Sequence, residues 1–181
     1  MSLRPCRSRD GRVNTRRGSV ADARAVAEVH VQSWRAAYRD LVPQSYLDTL
    51  SVDSREKFWR EAMERESPEL WVAETDGGVV GWVAFGPSRD PDAAGSVGEI
   101  SAIYLLPSHW STGIGLELWL TARARLIERG FATVTLWVFA ENSRAIRFYH
   151  AAGFELMVGA QQSHERGGKV LLEQRYGCRL D

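Results

Sequence analysis

The amino-acid sequence predicts one α/β (α+β) domain in which helices cover both faces of a mixed, mostly antiparallel sheet. Strand-like and helix-like segments alternate through the second half of the chain. The turn Asp76-Gly77-Gly78 separates two apolar segments, which is the signal of an antiparallel hairpin. The length of 181 residues, with 44% hydrophobic and 25% charged residues, suits one globular domain with its own core.

The N-terminal region divides into a tail and the start of this domain. Residues 1–12 carry arginines, a proline and a glycine without hydrophobic periodicity, so we expect a disordered tail. The domain is then expected to span residues 13–181, with a first strand at Val13–Arg17.

An amphipathic helix is expected over Asp22–Tyr38, because apolar side chains recur there at helical spacing. His30 lies on the apolar stripe, and we interpret it as a core or rim histidine rather than a catalyst. Two shorter helices are expected over Gln44–Leu50 and Ser54–Arg65, the second with Asp53 as its N-cap.

The middle of the chain carries three predicted strands. The hairpin strands are expected at Glu69–Glu74 and Val79–Gly86, followed by a polar loop at 87–95. A segment rich in β-branched and aromatic residues predicts a strand over Glu99–Leu106. Pro107 ends this strand, because proline cannot donate to a sheet ladder.

Gly113 and Gly115 mark the start of the next helix, which should end near Gly130. The first-turn N–H groups of a helix have no intrahelical partner, and the macrodipole adds partial positive charge there. A glycine-containing helix start therefore suits a phosphate, although a Gly-x-Gly pair is often only a turn. The sequence contains neither a dinucleotide-binding fingerprint nor a P-loop.

The last third of the chain again alternates strands with a helix. A nearly continuous apolar run predicts a buried strand over Thr133–Phe139. Asn142 is a suitable N-cap, and Gly153 a suitable C′ residue, for the helix between them. The tail is assigned to a strand at Glu155–Val158, a polar loop at Gln161–Arg166, a turn at Gly167-Gly168 and a strand at Lys169–Tyr176.

Two motifs occur in a fixed order in this half of the chain. Residues 110–115 align with Q/R-x-x-G-x-G/A, and residues 142–154 match N-x-x-A-x-x-x-Y-x-x-x-G-F in full. Together they resemble the GNAT N-acetyltransferase superfamily, directly from about Gly98 to Phe154. The first motif departs from the family pattern, because Trp110 replaces its basic or amide residue and Ser111 its usual glycine. The resemblance implies a sheet that splays between the strands at 99–106 and 133–139.

The resemblance also implies acetyl-CoA as the cofactor. Backbone N–H groups of the loop would hold the pyrophosphate, and the end of the preceding strand would pair with the pantetheine arm. The N–H of Leu105 would stabilise the oxyanion. The implied cofactor-binding residues are Ile103, Tyr104, Leu105, Trp110, Ser111, Thr112, Gly113, Ile114, Gly115, Leu116, Asn142, Ala145 and Phe148.

Tyr149 and Glu99 are the implied catalytic residues. Tyr149 follows Asn142 by seven residues on the same helix face, about 10 Å along the axis. Its phenol, with an ordinary pKa of about 10, would donate a proton to the departing thiolate. Glu99 would remove a proton from the acceptor ammonium through water. The alternatives are a core tyrosine and a surface carboxylate.

The resemblance places the acceptor cleft at the first helices, where Trp34, Tyr38 and Tyr46 are candidate substrate-binding residues. Their alternative role is core packing. The expected acceptor is a primary amine on a small molecule or a protein N-terminus, acetylated by direct transfer. Two other hypotheses stay open: a longer acyl-CoA donor, and a non-catalytic CoA-binding or sensory module. The Trp110-Ser111 departure keeps the second of these open, whereas the intact Asn142 and Tyr149 argue against it. Homodimer formation is a further open possibility.

Composition argues against several other classes of protein. The formal net charge of zero gives no general attraction to nucleic acid or to membranes. No apolar run has transmembrane length. Cys6 and Cys178 lie near opposite ends, which is neither a disulfide framework nor a metal-ligand spacing, so we expect no metal and a cytoplasmic location.

Overall fold

The computed structural model describes residues 13–180, in which five helices flank one seven-stranded sheet. The strands are β1 (Asn14–Arg17), β2 (Glu69–Thr75), β3 (Gly78–Pro87), β4 (Val97–Leu105), β5 (Thr133–Phe139), β6 (Glu155–Arg166) and β7 (Lys169–Arg179). The helices are α1 (Ala23–Ala37), α2 (Gln44–Asp48), α3 (Val52–Glu64), α4 (Ile114–Glu128) and α5 (Ser143–Ala151). The predicted tail at 1–12 lies outside the described residues.

The sheet splays at its centre, as the resemblance implies. Its strand order is β1-β2-β3-β4-β5-β7-β6, and every neighbouring pair is antiparallel except β4 and β5. These two parallel strands pair only between Val97–Glu99 and Thr133–Thr135, although β4 runs on to Leu105 and β5 to Phe139. Beyond Glu99 they separate, and their unpaired edges face a gap in the sheet.

Helices pack on both faces of the sheet, because alternate side chains of β2 and β3 point to opposite sides. Val72 and Trp82 pack with residues of α1 and α3 in one buried cluster. Val83 and Phe85 pack with α4 and β5 in another. The mixed, mostly antiparallel α/β fold predicted from the sequence is confirmed.

A β-bulge lies in β4 just beyond the point where β4 and β5 separate. Ala84 pairs with Ala102 and Phe85 with Ile100, so Ser101 is the extra residue. Further along, the N–H of Leu106 donates to the carbonyl of Val80 at 2.8 Å. Since successive peptide groups of a strand point in opposite directions, the carbonyl and N–H of Leu105 face the gap.

The start of α3 corrects one prediction. Ser51, not Asp53, is the N-cap, and its hydroxyl accepts from the N–H of Ser54 at 3.3 Å. Asp53 instead lies in the first helical turn and forms an ion pair with Arg24. Both residues are good caps, and the helix begins earlier than the hydrophobic pattern indicates.

The predicted polar loop at Gln161–Arg166 is also wrong, because these residues belong to β6. They pair with β7 across the turn Gly167-Gly168, whose φ angles of +60° and +82° confirm the predicted turn. Exposed and half-buried side chains alternate along this part of β6. Its inner side chains are polar, since they line a cavity rather than the core, and so they lack the apolar alternation typical of a strand.

No helix within residues 13–180 is long and apolar enough to cross a lipid bilayer.

Candidate functional site

The gap between β4 and β5 opens into a cavity of about 870 Å³. Two strands form part of its walls: β4 from Glu99 to Leu105 and β5 from Trp137 to Phe139. The other walls come from α1, the loop before α4, α4, α5 and the β6–β7 hairpin. The size and concave shape are those of a small-molecule site. Both halves of the sequence therefore contribute to one site.

The glycine-containing loop forms one end of this cavity and presents the N-terminus of α4. Gly113 is the N-cap with φ +93°, a conformation that favours glycine. Ser111 has φ +61°, in the same left-handed region, at the position where the family motif has glycine. Thr112 donates from its hydroxyl to the carbonyl of His109 at 2.7 Å, which closes the loop. The first-turn N–H groups of α4 have no intrahelical partner, and such a helix start suits an anion.

Trp110, the residue that departs from the loop motif, has two partners here. Its indole Nε1 donates to the carbonyl of Leu105 at 3.0 Å. The guanidinium carbon of Arg144 lies 3.2 Å from the centroid of its ring. Burial lowers the pKa of Arg144, but an arginine remains cationic at any working pH. A cation from α5 is thus placed beside the loop.

The end of β4 has one free donor for a ligand in the cavity. The carbonyl of Leu105 already accepts from the hydroxyl of Ser33 at 2.6 Å and from Trp110. Its N–H faces the gap and has no strand opposite, since β5 has separated from β4 there. The backbone of residues 103–105 is therefore an open sheet edge inside the cavity.

Helix α5 places the second motif in the cavity wall. Asn142 caps the helix, and its Oδ1 accepts from the N–H of Ala145 at 3.2 Å. The amide NH₂ group of Asn142, which also lines the cavity, can then donate to a ligand that enters it. A Cβ on Gly115 would lie 3.4 Å from the ring of Phe148, so the start of α4 approaches the side chain of Phe148 on α5 closely.

Tyr149 lines the cavity among other aromatic rings. Its ring centroid lies 5.3 Å from that of Phe148 and 5.7 Å from that of Phe154. Burial, and then the neighbouring Tyr104, raise the pKa of the Tyr149 phenol well above its ordinary value. The hydroxyl is therefore a proton donor throughout the physiological range.

Glu99 also lines the cavity, but its carboxylate already has a partner. It is 3% exposed and accepts from the backbone N–H of Arg89 at 2.9 Å and from the guanidinium of the same residue. This ion pair raises the pKa of Arg89. The carboxylate thus holds the loop before β4 at the cavity.

Most of the other predicted site residues line the cavity, and three do not. Trp34 and Tyr38 lie in the wall, as do all the residues predicted to bind the cofactor except Thr112 and Ile114. Ile114 packs in the core instead. Tyr46 is not in the wall either: it contacts the hairpin turn at Gly167, where a Cβ would lie 2.8 Å from that of Tyr46.

The cavity contains a polar wall that the sequence did not indicate. Its members come from β6 and β7 and are Gln162, His164, Arg166 and Glu173. Gln162, His164 and Arg166 occur at every second position before the Gly-Gly turn, and this period of two is the signal that could have identified them. Arg89, Arg144, Arg147, Trp137 and Phe139 also line the cavity. Among residues 13–180, no group of His, Cys, Asp and Glu side chains is suited to hold a metal ion.

Comparison with known proteins agrees with this geometry. The family model described as the acetyltransferase (GNAT) family matches residues 31–154. An uncharacterized N-acetyltransferase of Bacillus subtilis, YuaI, is 33% identical over 91% of this chain and 92% of its own length. PaiA N-acetyltransferase from Thermoplasma acidophilum, solved with coenzyme A, superimposes with a TM-score of 0.72 at 18% identity, covering 93% of this chain and 99% of that one. YncA from Salmonella typhimurium, solved with its cofactor acetyl-CoA, gives a TM-score of 0.73 at 23% identity, covering 94% and 95%.

Proposed function

The chain belongs to the acetyltransferase (GNAT) family, and from this premise we propose that it moves an acetyl group from acetyl-CoA directly to a primary amine of a small molecule or a protein N-terminus. The observation that carries the proposal is the gap between β4 and β5, which opens onto the glycine-capped N-terminus of α4. An open strand edge next to an anion site suits a ligand with an amide-containing arm and a pyrophosphate.

Particular cavity residues would bind the pyrophosphate and the pantetheine arm of acetyl-CoA. The N–H groups at the start of α4 would hold the pyrophosphate, and Arg144 on the Trp110 ring would supply the cation that the loop motif lacks. The backbone of residues 103–105 would pair with the pantetheine arm. The NH₂ group of Asn142 would donate to the same arm, because its Oδ1 is engaged in capping α5.

Three groups of the chain would then act on the reacting atoms. Acetyl-CoA supplies the activated thioester. The N–H of Leu105 would donate to the carbonyl oxygen as negative charge develops on it. The hydroxyl of Tyr149 would donate its proton to the departing sulfur. Glu99 would take a proton from the acceptor ammonium through water, in competition with its ion pair to Arg89.

Calorimetry with acetyl-CoA and a CoA-release assay over a panel of amines test this function. We expect acetyl-CoA to bind and to raise the melting temperature, because a ligand of the folded state stabilises it by mass action. Acetyl-, propionyl- and octanoyl-CoA in the same assay separate an acetyl donor from a longer one. Absence of acetyl-CoA binding at millimolar ligand would contradict the donor assignment. Tight binding without CoA release on any amine would favour the non-catalytic module.

A further inference from the structure

Two carboxylates line the cavity, and they have different partners. Glu99 holds Arg89, whereas the partners of Glu173 are an amide and an imidazole. The Oε2 atom of Glu173 accepts from the amide of Gln162 at 2.8 Å and lies 3.1 Å from Nε2 of His164. With a side chain 17% exposed, Glu173 presents a positioned carboxylate to the cavity, and its ion-pair partner is His164 rather than an arginine or lysine.

Aromatic rings line the cavity on the same side of the sheet as this carboxylate. Glu173 on β7 pairs directly with Phe139 on β5, and side chains at paired positions of antiparallel strands point to the same face. The ring of Tyr38 lies 5.2 Å from that of Phe139 and 4.7 Å from that of Trp34, and all three rings line the cavity. The charge of Glu173 also contributes, after burial and the neighbouring tyrosines, to the raised pKa of Tyr38, which places the carboxylate near this aromatic wall.

We propose that Glu173 binds the ammonium group of the acceptor, while the rings of Trp34, Tyr38 and Phe139 contact the carbon chain next to it. The proposal rests on the proposed function and names the acceptor class: a cationic primary amine whose adjoining carbons are apolar. An ammonium has three N–H donors and suits a carboxylate oxygen, and aromatic faces attract both its charge and its carbon chain.

The same geometry disfavours an acceptor that carries a carboxylate beside its amine. Such a carboxylate would lie close to Glu173, and like charges at short range repel one another. Arg166 also lines the cavity, but it lies four residues from Gln162 along β6, which is about 13 Å at the rise of a strand. Arg166 is therefore placed to meet the far end of a long acceptor rather than its amine end.

Calorimetry with three related probes, in the presence of saturating coenzyme A, tests the proposal. The probes are phenethylamine, phenylalaninamide and phenylalanine, which differ only in the group beside the amine. We expect wild-type protein to bind phenethylamine and phenylalaninamide at least tenfold more tightly than phenylalanine. Glu173→Gln should weaken phenethylamine binding about 10- to 100-fold, the range for loss of one hydrogen bond to a charged group.

Glu165→Gln is the matched control, because Glu165 is exposed on β6 and does not line the cavity. It should leave phenethylamine affinity within twofold of wild type, and both variants should bind acetyl-CoA as the wild type does. Equal phenethylamine affinity in Glu173→Gln and wild type would overturn the proposal. So would wild-type binding of phenylalanine as tight as that of phenethylamine, or no binding of phenethylamine.

The comparison of probes on the wild type needs no variant, so the proposal stays testable if Glu173→Gln fails to fold. Acetyl-CoA binding, measured in a separate titration, distinguishes failure of the proposed function from failure of the role proposed for Glu173. Loss of acetyl-CoA binding counts against the proposed function, whereas intact acetyl-CoA binding with an unselective amine site counts against Glu173 alone.

Discussion

At the scale of single residues, the proposed role of Tyr149 as a proton donor depends on the burial of its side chain. Burial raises the pKa of its phenol, so the hydroxyl keeps its proton at every working pH. A phenol with such a high pKa is a weak acid, so its contribution to the reaction would depend on its position next to the atom that accepts the proton. Its place on α5, seven residues from the Asn142 cap, would supply that position if acetyl-CoA binds as proposed.

Tyr149→Phe should slow the chemical step by about 10²- to 10⁴-fold, the usual contribution of a general acid. Acetyl-CoA affinity should change little, because the ring still packs against its neighbours. The measurement is the single-turnover rate together with the melting temperature. Tyr176→Phe, a buried tyrosine outside the cavity, is the control and should keep its turnover. A Tyr149→Phe variant that is less stable but fully active would restrict Tyr149 to a structural role.

Glu99→Gln should shift the acidic limb of the pH–rate profile measured with a saturating amine. The amide can still accept from the backbone N–H of Arg89, but it cannot take a proton from the acceptor. Glu69→Gln is the matched control, since Glu69 is a buried carboxylate paired with Arg125 and Arg129 outside the cavity. An acidic limb identical to that of the wild type would leave Glu99 only the task of anchoring Arg89.

Ser111→Gly should stabilise the folded protein by about 0.5–1 kcal/mol. The φ of +61° costs a residue with a Cβ about 1–2 kcal/mol, and the greater freedom of glycine in the unfolded chain offsets part of the relief. Urea unfolding measures the difference. Ser108 lies in the 3₁₀ turn Pro107–His109 and has no positive φ. Ser108→Gly therefore relieves no strain and should not stabilise the folded protein. Equal effects of the two substitutions would argue against strain at Ser111.

At the scale of elements, α5 and the loop before α4 both contribute groups to the proposed phosphate site. The loop contributes backbone N–H groups and the flat ring of Trp110, and α5 contributes the charge of Arg144 that rests on this ring. A planar guanidinium can stack on an indole and still donate from its edge. The change from a basic residue to Trp110 at the start of the motif is therefore compatible with phosphate binding.

Arg144→Gln should weaken acetyl-CoA binding about tenfold or more, the effect of losing one charge-assisted contact to a phosphate. Arg144→Lys should recover only part of the affinity, since an ammonium keeps the charge but cannot stack as a guanidinium does. Arg60→Gln, an exposed arginine on α3, serves as the control. Calorimetry gives the affinities; Arg144→Gln binding acetyl-CoA as tightly as wild type would remove Arg144 from the phosphate site.

At the scale of the whole molecule, one buried histidine makes stability depend on pH. His30 on α1 is 7% exposed and packs among the rings of Trp34, Trp59, Trp82 and Tyr104. Its Nδ1 accepts from Nε1 of Trp59 at 3.1 Å, which requires the neutral ring. Burial, with a smaller contribution from Arg55, lowers the pKa of His30 to about 3. The interpretation of His30 as a core histidine is confirmed.

The unfolded chain binds a proton at His30 below about pH 6.5, whereas the native protein excludes it until about pH 3. Stability is therefore complete above pH 6.5 and falls as the pH decreases through this window, by about 2 kcal/mol between pH 7 and pH 5. His30→Gln, which keeps an acceptor for Trp59, should flatten this dependence, and His150→Gln at an exposed position should not. Urea unfolding at several pH values measures the slopes. Equal slopes for wild type and His30→Gln would show that other groups dominate.

The sequence by itself determined the features that depend on neighbouring residues. The Asp76-Gly77-Gly78 turn, the Asn142 cap and the Gly113 helix start follow from local dihedral preferences and capping chemistry. A nearly continuous apolar run predicted the strand Thr133–Phe139 with its observed ends. The two motifs, read in order, indicated the family and the splay of the sheet.

Only the tertiary structure decided which distant side chains meet in the cavity. Glu173, Gln162 and Phe139 come together through the pairing of three strands, and Arg144 reaches Trp110 across two elements. The polar stretch at Gln161–Arg166 became a strand because β7 pairs with it, against the local signal of its composition. Local patterns encode dihedral preferences and which face of an element is apolar. Register and packing between distant segments depend on the whole chain, and they bring the polar residues of β6 and β7 into the same cavity as the loop before α4.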